Sequence, residues 1–184
     1  ALARLWAEAG EPERAVEQAL RGAQAAERAS DPVEVAARLG FALARMRRRD
    51  PRRRGVRLRQ GDARMQAGLN ADAARSFAAG VVLSSTRAER AEGRVRQAYA
   101  LATAGKLGLA GRVAARAESE AKAAGLKAEE ALAKRTAGIV LARQGKLHEA
   151  LAVFERVAPM FEALGDVQRT AEILHSIATC HGNI

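Results

Sequence analysis

The sequence contains few aromatic residues: one Trp, one Tyr and four Phe make up 3% of its 184 residues. Val, Ile and Thr are also scarce, and strands favour these residue types together with aromatics, so we do not expect a strand-rich fold. What the chain has instead is alanine, roughly a quarter of all residues and far above ordinary usage. Alanine has the highest helix propensity and lets helices approach closely. We therefore predict an all-α fold.

Cysteine is also nearly absent, because Cys180 is the only one in the sequence. An intrachain disulfide and a Cys-based zinc site are thereby excluded. No apolar run approaches the ~20 residues that a membrane helix needs, and no signal-peptide pattern opens the chain. We expect a cytoplasmic protein with no membrane partner. The sequence begins with Ala rather than Met, so we also expect a fragment of a longer protein.

Positive charge is concentrated in one segment. The chain has 31 Lys and Arg against 21 Asp and Glu, a net charge of +10. Residues 45–59 (RMRRRDPRRRGVRLR) contain nine Arg and one Asp, whereas the rest of the chain is nearly neutral. The nine are Arg45, Arg47, Arg48, Arg49, Arg52, Arg53, Arg54, Arg57 and Arg59.

Three interpretations of this Arg-rich segment remain open. It is a patch for nucleic acid or another polyanion, a site for an acidic partner, or a solvated linker whose arginines reflect codon usage. Arg outnumbers Lys 26 to 5, which favours codon usage. The segment has no interleaved aromatics on which bases would stack. We therefore treat polyanion binding as the alternative function.

A repeated pattern is marked by Gly68, Gly105 and Gly145. Each ends an Ala-rich helical stretch, has an Ala five residues after it and a small residue seven residues before it. The preceding small residues, with a fourth in phase, are Gly61, Ala98, Gly138 and Ala178. Glycine readily takes the left-handed conformation that closes a helix. The pattern predicts helix-turn-helix repeats in which small residues let paired helices approach closely.

An aromatic residue occupies the same place in two of these repeats. Phe77 and Phe154 each lie four residues after the repeat's alanine, and Ala114 takes that place in the middle repeat. We expect the phenylalanines to fill the wedge between paired helices.

These motifs resemble tetratricopeptide repeats (TPR) in their longer form of about 40 residues. The resemblance covers residues 52–184 and implies a right-handed α-solenoid of antiparallel helix pairs, with about ten helices in a single domain over 1–184. The predicted parts are degenerate helices in 1–51, repeats at 52–86, 87–126 and 127–166, and an unpaired or truncated last helix in 167–184.

The individual helices are predicted from Ala and Leu periodicity and from their end signals. Asp31 before Pro32 is a typical N-cap. Pro159 is expected to kink its helix or end it early. The predicted helices are 1–9, 12–29, 32–47, 52–67, 70–84, 87–104, 107–124, 127–144, 147–163 and one from about 167.

Residues 1–60 are similar to the helical region of large bacterial signalling proteins. The similarity lies in the run LARLWAEAGEPERAVEQALRGAQAAERASDPVEVAARLGFALARM and the DPRRR linker that follows it. In those proteins such repeats follow a serine/threonine kinase or a STAND/AAA-type ATPase. The resemblance implies a sensor or scaffold part of a regulator.

In TPR arrays the first helices of successive pairs line a concave groove that binds a partner segment. When the groove positions are transferred by their phase in the repeat, the resemblance implies a groove for a peptide or helix, with apolar anchors and Arg for acidic groups. The alternative is that several of the residues at these positions only form a solvated helix face. The groove positions are Leu58, Asp62, Met65, Val95, Tyr99, Thr103, Arg135, Ile139, Arg143, His175 and Thr179.

Catalytic and metal-binding motifs are not recognisable in the sequence. The pairs Gly105-Lys106 and Gly145-Lys146 lack the Ser or Thr and the upstream Gly of a phosphate loop. His175, Cys180 and His181 point in different directions on a helix and do not match metal-ligand spacing. We predict a non-catalytic protein-interaction module without cofactor or metal, whose exposed C-terminal helix could also drive self-association.

Overall fold

The computed structural model describes residues 2–184, and over that range the secondary structure is entirely helical. The ten helices are α1 (Leu2–Glu8), α2 (Pro12–Arg28), α3 (Pro32–Arg45), α4 (Arg53–Gln66), α5 (Asn70–Val82), α6 (Arg87–Thr103), α7 (Leu107–Ala123), α8 (Lys127–Arg143), α9 (Leu147–Ala163) and α10 (Val167–Gly182). The sequence predicted the ends of these helices to within two residues, with no end predicted for the last one.

The chain divides into two compact units, the first ending at Leu83 and the second comprising Ser84–Ile184. The first unit contains α1–α5, in which each helix packs against the next. The second contains α6–α10, in which consecutive helices pack and α6 also contacts α8. The organisation of 1–184 as a single domain stays a prediction.

The first unit has helices of unequal length and connections of different kinds. The helix lengths run from 7 to 17 residues. Asp31 caps α3 as predicted, because its Oδ1 accepts a hydrogen bond from the Glu34 amide at 2.9 Å. Val16, Leu39, Leu43 and Val56 form the core together with alanines of α2–α4.

The second unit is built on a shorter period than the sequence pattern indicated. Gly105, Gly125, Gly145 and Gly165 lie 20 residues apart, and all have φ between 69° and 76°. Each follows a helix of 17 residues. The turn between repeats is therefore the same as the turn within them, which the 40-residue pattern did not reveal.

The predicted pairing of small residues with phenylalanine is confirmed. A Cβ at Gly61 would lie 2.4 Å from Cε1 of Phe77, and one at Gly138 would lie 2.5 Å from Cε1 of Phe154. Both rings are almost fully buried. Where the middle repeat has Ala114 in place of phenylalanine, it has Ala98 in place of glycine, so the two positions are matched in size.

Helix α9 continues through Pro159 to Ala163, so proline does not end this helix early, and the kink that was the other expectation stays a prediction. Proline removes one backbone hydrogen bond, the one to the carbonyl of Glu155 four residues earlier. Both Pro159 and Glu155 are exposed, and water can satisfy that carbonyl.

Candidate functional site

In the second unit, α6, α8 and α10 are the first helices of successive pairs. Contacts of polar side chains connect these three helices. The guanidinium of Arg135 lies 5.9 Å from the ring centroid of Tyr99. On its other side, Arg135 Nη2 is 2.8 Å from Glu172 Oε2. Tyr99 remains 40% exposed. Two of the predicted groove residues, Tyr99 and Arg135, are thus brought together, and Glu172 joins them although the sequence did not single it out.

A cleft of about 410 Å³ lies between α8, α9 and α10. Four predicted groove residues line it, two from α8 and two from α10: Ile139, Arg143, His175 and Thr179. The rest of the lining comes from residues that groove phasing did not include, among them Leu147, Phe154, Cys180 and Asn183. Most of the wall is apolar, with the polar groups at its edge.

Arg143 has a defined partner beside this cleft. Its Nη1 donates a hydrogen bond of 2.6 Å to the carbonyl oxygen of Ala102, near the end of α6. That carbonyl also accepts from the Gly105 amide. Thr103, the next groove position on α6, has its hydroxyl turned to the Tyr99 carbonyl.

Two predicted groove residues belong to the core instead. Leu58 is 5% exposed and Val95 is 7% exposed. Leu58 packs against Gly80, where a Cβ would lie 2.9 Å from Leu58 Cδ2, and Val95 packs among Ala117 and Ala133. Each lies one helical turn before the next predicted groove residue on its helix. The predicted groove therefore included positions that pack in the core, and we exclude both residues from the candidate site.

The remaining groove positions of the first unit, Asp62 and Met65, are half-buried on α4. Asp62 lines a cleft of about 240 Å³ between α4 and the α2–α3 turn. Glu27 and Asp31 also line it, and Arg59 pairs with Glu27 across it at 2.8 Å. This cleft is therefore acidic, whereas the cleft of the second unit contains no carboxylate among its lining residues.

Most of the Arg-rich segment is engaged in contacts within the first unit. Arg53 Nη1 donates to the carbonyls of Leu43 and Met46, both at 2.9 Å, and so satisfies the end of α3. Arg52 bonds to Asp50 and to Glu13, and the Arg45 guanidinium stacks 3.5 Å from the Phe41 centroid.

Among residues 2–184, only two of the nine arginines, Arg48 and Arg49, have neither a hydrogen bond nor an ion pair. Arg47 approaches Glu13, Arg57 bonds to Gln60, and Arg59 pairs with Glu27. Arg54 is also engaged. The segment is therefore not a set of nine free charges.

A buried polar network lies beside this segment. Gln60 is 2% exposed; its Nε2 donates to the Ala36 carbonyl at 3.3 Å, and its Oε1 accepts from Ser76 and Arg57. Arg64 donates to Ser76 Oγ at 2.6 Å. Burial lowers the pKa of Arg57 and of Arg64 from the ordinary arginine value. These contacts join α3, α4 and α5 and leave little of the network open to a ligand.

The C-terminal residues that could have served as metal ligands are separated by burial. Cys180 is buried beside Phe154 and Ile173, while His175 and His181 are exposed. Over residues 2–184, no three His, Cys, Asp or Glu side chains are grouped so as to hold a metal ion. None of the helices in that range is both long and apolar enough to span a membrane.

No protein-family model matches the chain, and no curated protein sequence matches it either. Solved structures do. BtubC (BKLC) from P. vanneervenii superposes with a TM-score of 0.70 at 16% identity, covering 98% of this chain and 77% of that one. A Podosopora anserina putative kinesin light chain with TPR-like repeats gives 0.63 at 15% identity, over 92% of this chain and 95% of that one.

A third solved structure contains a peptide. The Rap conjugation gene regulator of the plasmid pLS20, in complex with the Phr* peptide, gives a TM-score of 0.62 at 12% identity. It covers 89% of this chain and 53% of the regulator. At these identities the comparisons show the fold alone, and that fold is an all-α, TPR-like solenoid of antiparallel helix pairs, as the sequence predicted.

Proposed function

We propose that the chain is a non-catalytic interaction module that binds a peptide or helix segment of a protein partner. Its binding surface is the exposed face of α6, α8 and α10, formed by Tyr99, Thr103, Arg135, Ile139, Arg143, His175 and Thr179. Asp62 and Met65 provide the equivalent face in the first unit. The observation that supports this best is the apolar cleft between α8, α9 and α10, which the exposed side chains of Arg143 and His175 line. Such a surface suits a segment with apolar anchors and polar groups.

The structural comparisons are consistent with this function. TPR-like scaffolds offer stacked helix faces as extended binding surfaces, and the Rap regulator was solved with a peptide. The wider setting, a scaffold in a cytoplasmic bacterial signalling regulator, rests on the resemblance of residues 1–60 and stays a proposal. Self-association through α10, where Leu174 is 51% exposed, also stays a prediction.

The proposal is tested by selecting binders from a display library of random peptides. We expect enriched peptides to lose most of their binding to the Tyr99→Ala/Ile139→Asp variant, because an aromatic contact is removed and a charge is placed in the apolar cleft. The matched control is Leu109→Ala/Ala152→Asp on the second helices, where Leu109 is 43% exposed. Equal binding to both variants would contradict the proposed surface.

Polyanion binding through the Arg-rich segment is the weaker alternative, because seven of its nine arginines already have partners, six of them within the first unit. Arg48 and Arg49 remain available for it. Filter binding of single- and double-stranded oligonucleotides across a salt series tests this, since phosphate contacts give a steep salt dependence. If Arg48→Gln/Arg49→Gln does not change the salt slope, this alternative is wrong.

A further inference from the structure

The cleft between α8 and α10 has an internal counterpart, 40 residues earlier in the chain, between α6 and α8. Asn183 takes the place of Arg143, and Thr179 takes the place of Ile139. Ala142, whose carbonyl lies at the end of α8, takes the place of Ala102. The two places differ in the length of the side chains that α10 and α8 supply.

In the counterpart, a side chain of α8 reaches across to the end of α6. The long side chain of Arg143 reaches the Ala102 carbonyl at 2.6 Å. Asn183 is shorter, and its Nδ2 donates instead to the Thr179 carbonyl of its own helix at 2.7 Å. The Ala142 carbonyl accepts from the Gly145 amide, and no side chain of the described residues reaches it. The cleft between α8 and α10 therefore lacks the cross-helix bond that Arg143 makes in the counterpart.

The walls of this cleft define the chemistry of a ligand. Ile139 and Leu147 are half-buried beside the nearly buried Phe154 and Cys180, and this apolar lining favours an apolar side chain. The ionisable groups at the edge are Arg143 and His175, and no lining residue is acidic. Arg143 uses one N–H on Ala102, and its guanidinium has further N–H donors with which to pair a carboxylate.

We infer that this cleft binds an apolar side chain, such as Leu, of a partner segment in which the neighbouring residue is Asp or Glu. The apolar side chain occupies the place equivalent to that of the Arg143 side chain in the preceding repeat, and the carboxylate pairs with Arg143. The inference rests on the proposed function and names the sequence type that this part of the surface selects.

The probe is a capped peptide, Ac-GSGLEGSG-NH2, titrated to millimolar concentration into the ¹⁵N-labelled full chain and followed by NMR. Its variants carry Ala for Leu, or Gln or Lys for Glu. We expect shifts at the amides of Ile139, Leu147, Phe154 and Cys180. Replacing Glu by Gln should weaken binding about tenfold, as expected for the loss of a charge-assisted hydrogen bond, and Lys should weaken it further.

The decisive variant is Asn183→Arg, which gives α10 the residue that reaches the preceding helix end in the counterpart. We expect it to reduce binding at least tenfold, because the new side chain competes for the cleft and for the Ala142 carbonyl. Its added positive charge would strengthen binding of an acidic peptide if long-range attraction alone were responsible. Asn183→Ser, which adds no long side chain, is the control and should bind as the unchanged protein does.

A second variant tests the carboxylate contact. Arg143→Gln should abolish the preference for Glu over Gln in the probe, while Arg156→Gln on the exposed face of α9 should retain it. Circular dichroism and thermal unfolding of each variant show whether the helices are intact. If Arg143→Gln is unfolded, the Asn183→Arg result decides.

Three outcomes would overturn the inference: equal binding of the Lys probe, unchanged binding to Asn183→Arg, or no shift at the cleft amides. If display-selected peptides shift Tyr99 and Arg135 but leave the cleft amides unmoved, the proposed function stands and this inference alone fails. If no selected peptide depends on Tyr99 and Ile139, the proposed function fails as well.

Discussion

The two units differ in how their consecutive, packed helices are connected. In the second unit, helices of 17 residues alternate with identical glycine turns every 20 residues. In the first unit, the helices differ in length and arginine side chains join them: Arg53 satisfies the end of α3, and Arg59 pairs with Glu27 of α2. The glycine turn recurs at a fixed spacing in the second unit, whereas in the first unit it occurs at Gly10 and Gly68, and side chains take part in the other connections.

The clefts of the two units also differ in charge. Asp62, Glu27 and Asp31 line the cleft of the first unit, and Arg143 and His175 lie at the edge of the cleft in the second. By repeat phase Asp62 is equivalent to Tyr99, Ile139 and Thr179. Equivalent positions in the repeat therefore carry different chemistry in the two units.

The largest expected effect concerns the glycine–phenylalanine packing that occurs in each unit, Gly61 with Phe77 in the first and Gly138 with Phe154 in the second. Phe154→Ala should destabilise the second unit by about 3–5 kcal/mol, because a fully buried ring is lost. Gly138→Ala should cost about 1–3 kcal/mol, since its Cβ would overlap the ring of Phe154. Urea unfolding of the full chain, with hydrogen exchange followed in α8 and α9, measures both.

The double variant Gly138→Ala/Phe154→Ala sharpens this comparison. It reproduces the Ala98/Ala114 pair of the middle repeat, so the two changes should destabilise less together than their sum, by about 0.5–3 kcal/mol. Additive effects would show that the size matching between these positions carries no energy.

A smaller effect is expected from the arginines of the first unit. Arg53→Ala should destabilise that unit by about 1–3 kcal/mol, because two carbonyls at the end of α3 lose their donor. Arg49→Ala removes the same charge from an exposed position and should change stability by less than about 0.5 kcal/mol. Hydrogen exchange in α3 is the measurement, and equal effects would contradict the structural role of Arg53.

The smallest effect is on pH dependence. The bond from Lys134 lowers the pKa of Glu130 below its ordinary value of 4.5. A group whose pKa is lowered by folding stabilises the folded protein at pH values above the pKa it has in the unfolded state. This contribution is lost as the pH falls through the pKa it has in the folded state. Glu130→Gln should therefore flatten the loss of stability of the second unit below pH 4.5, as measured by urea unfolding.

Asp50 provides the matching test in the first unit. The side-chain bond from Arg52 lowers the pKa of Asp50, so the sign of the pH effect is the same. Asp50→Asn should reduce the loss of hydrogen-exchange protection in α3 and α4 as the pH falls. The protection of α8 should not change. A change in α8 instead would contradict a local origin.

The sequence predicted the helices because its signals are local. Ala and Leu periodicity, the Asp31 cap and the turn glycines each act within a few residues. The Gly61–Phe77 and Gly138–Phe154 pairs were also readable, since a fixed repeat phase brings positions far apart in sequence into contact. The same phase relates Asn183 to Arg143, so the difference in length between these two side chains is itself a feature of the sequence.

Tertiary structure alone decided which side chains are available to a partner. Leu58 and Val95 fit the phase of an exposed face, yet they are buried, because burial depends on the size of the residue opposite, Gly80 in the case of Leu58. The charge of residues 45–59 was plain from composition, but their partners Glu13, Glu27 and the end of α3 lie 7–39 residues away along the chain. Composition fixes how much charge a chain carries, and only the packing of its helices determines which of that charge remains free.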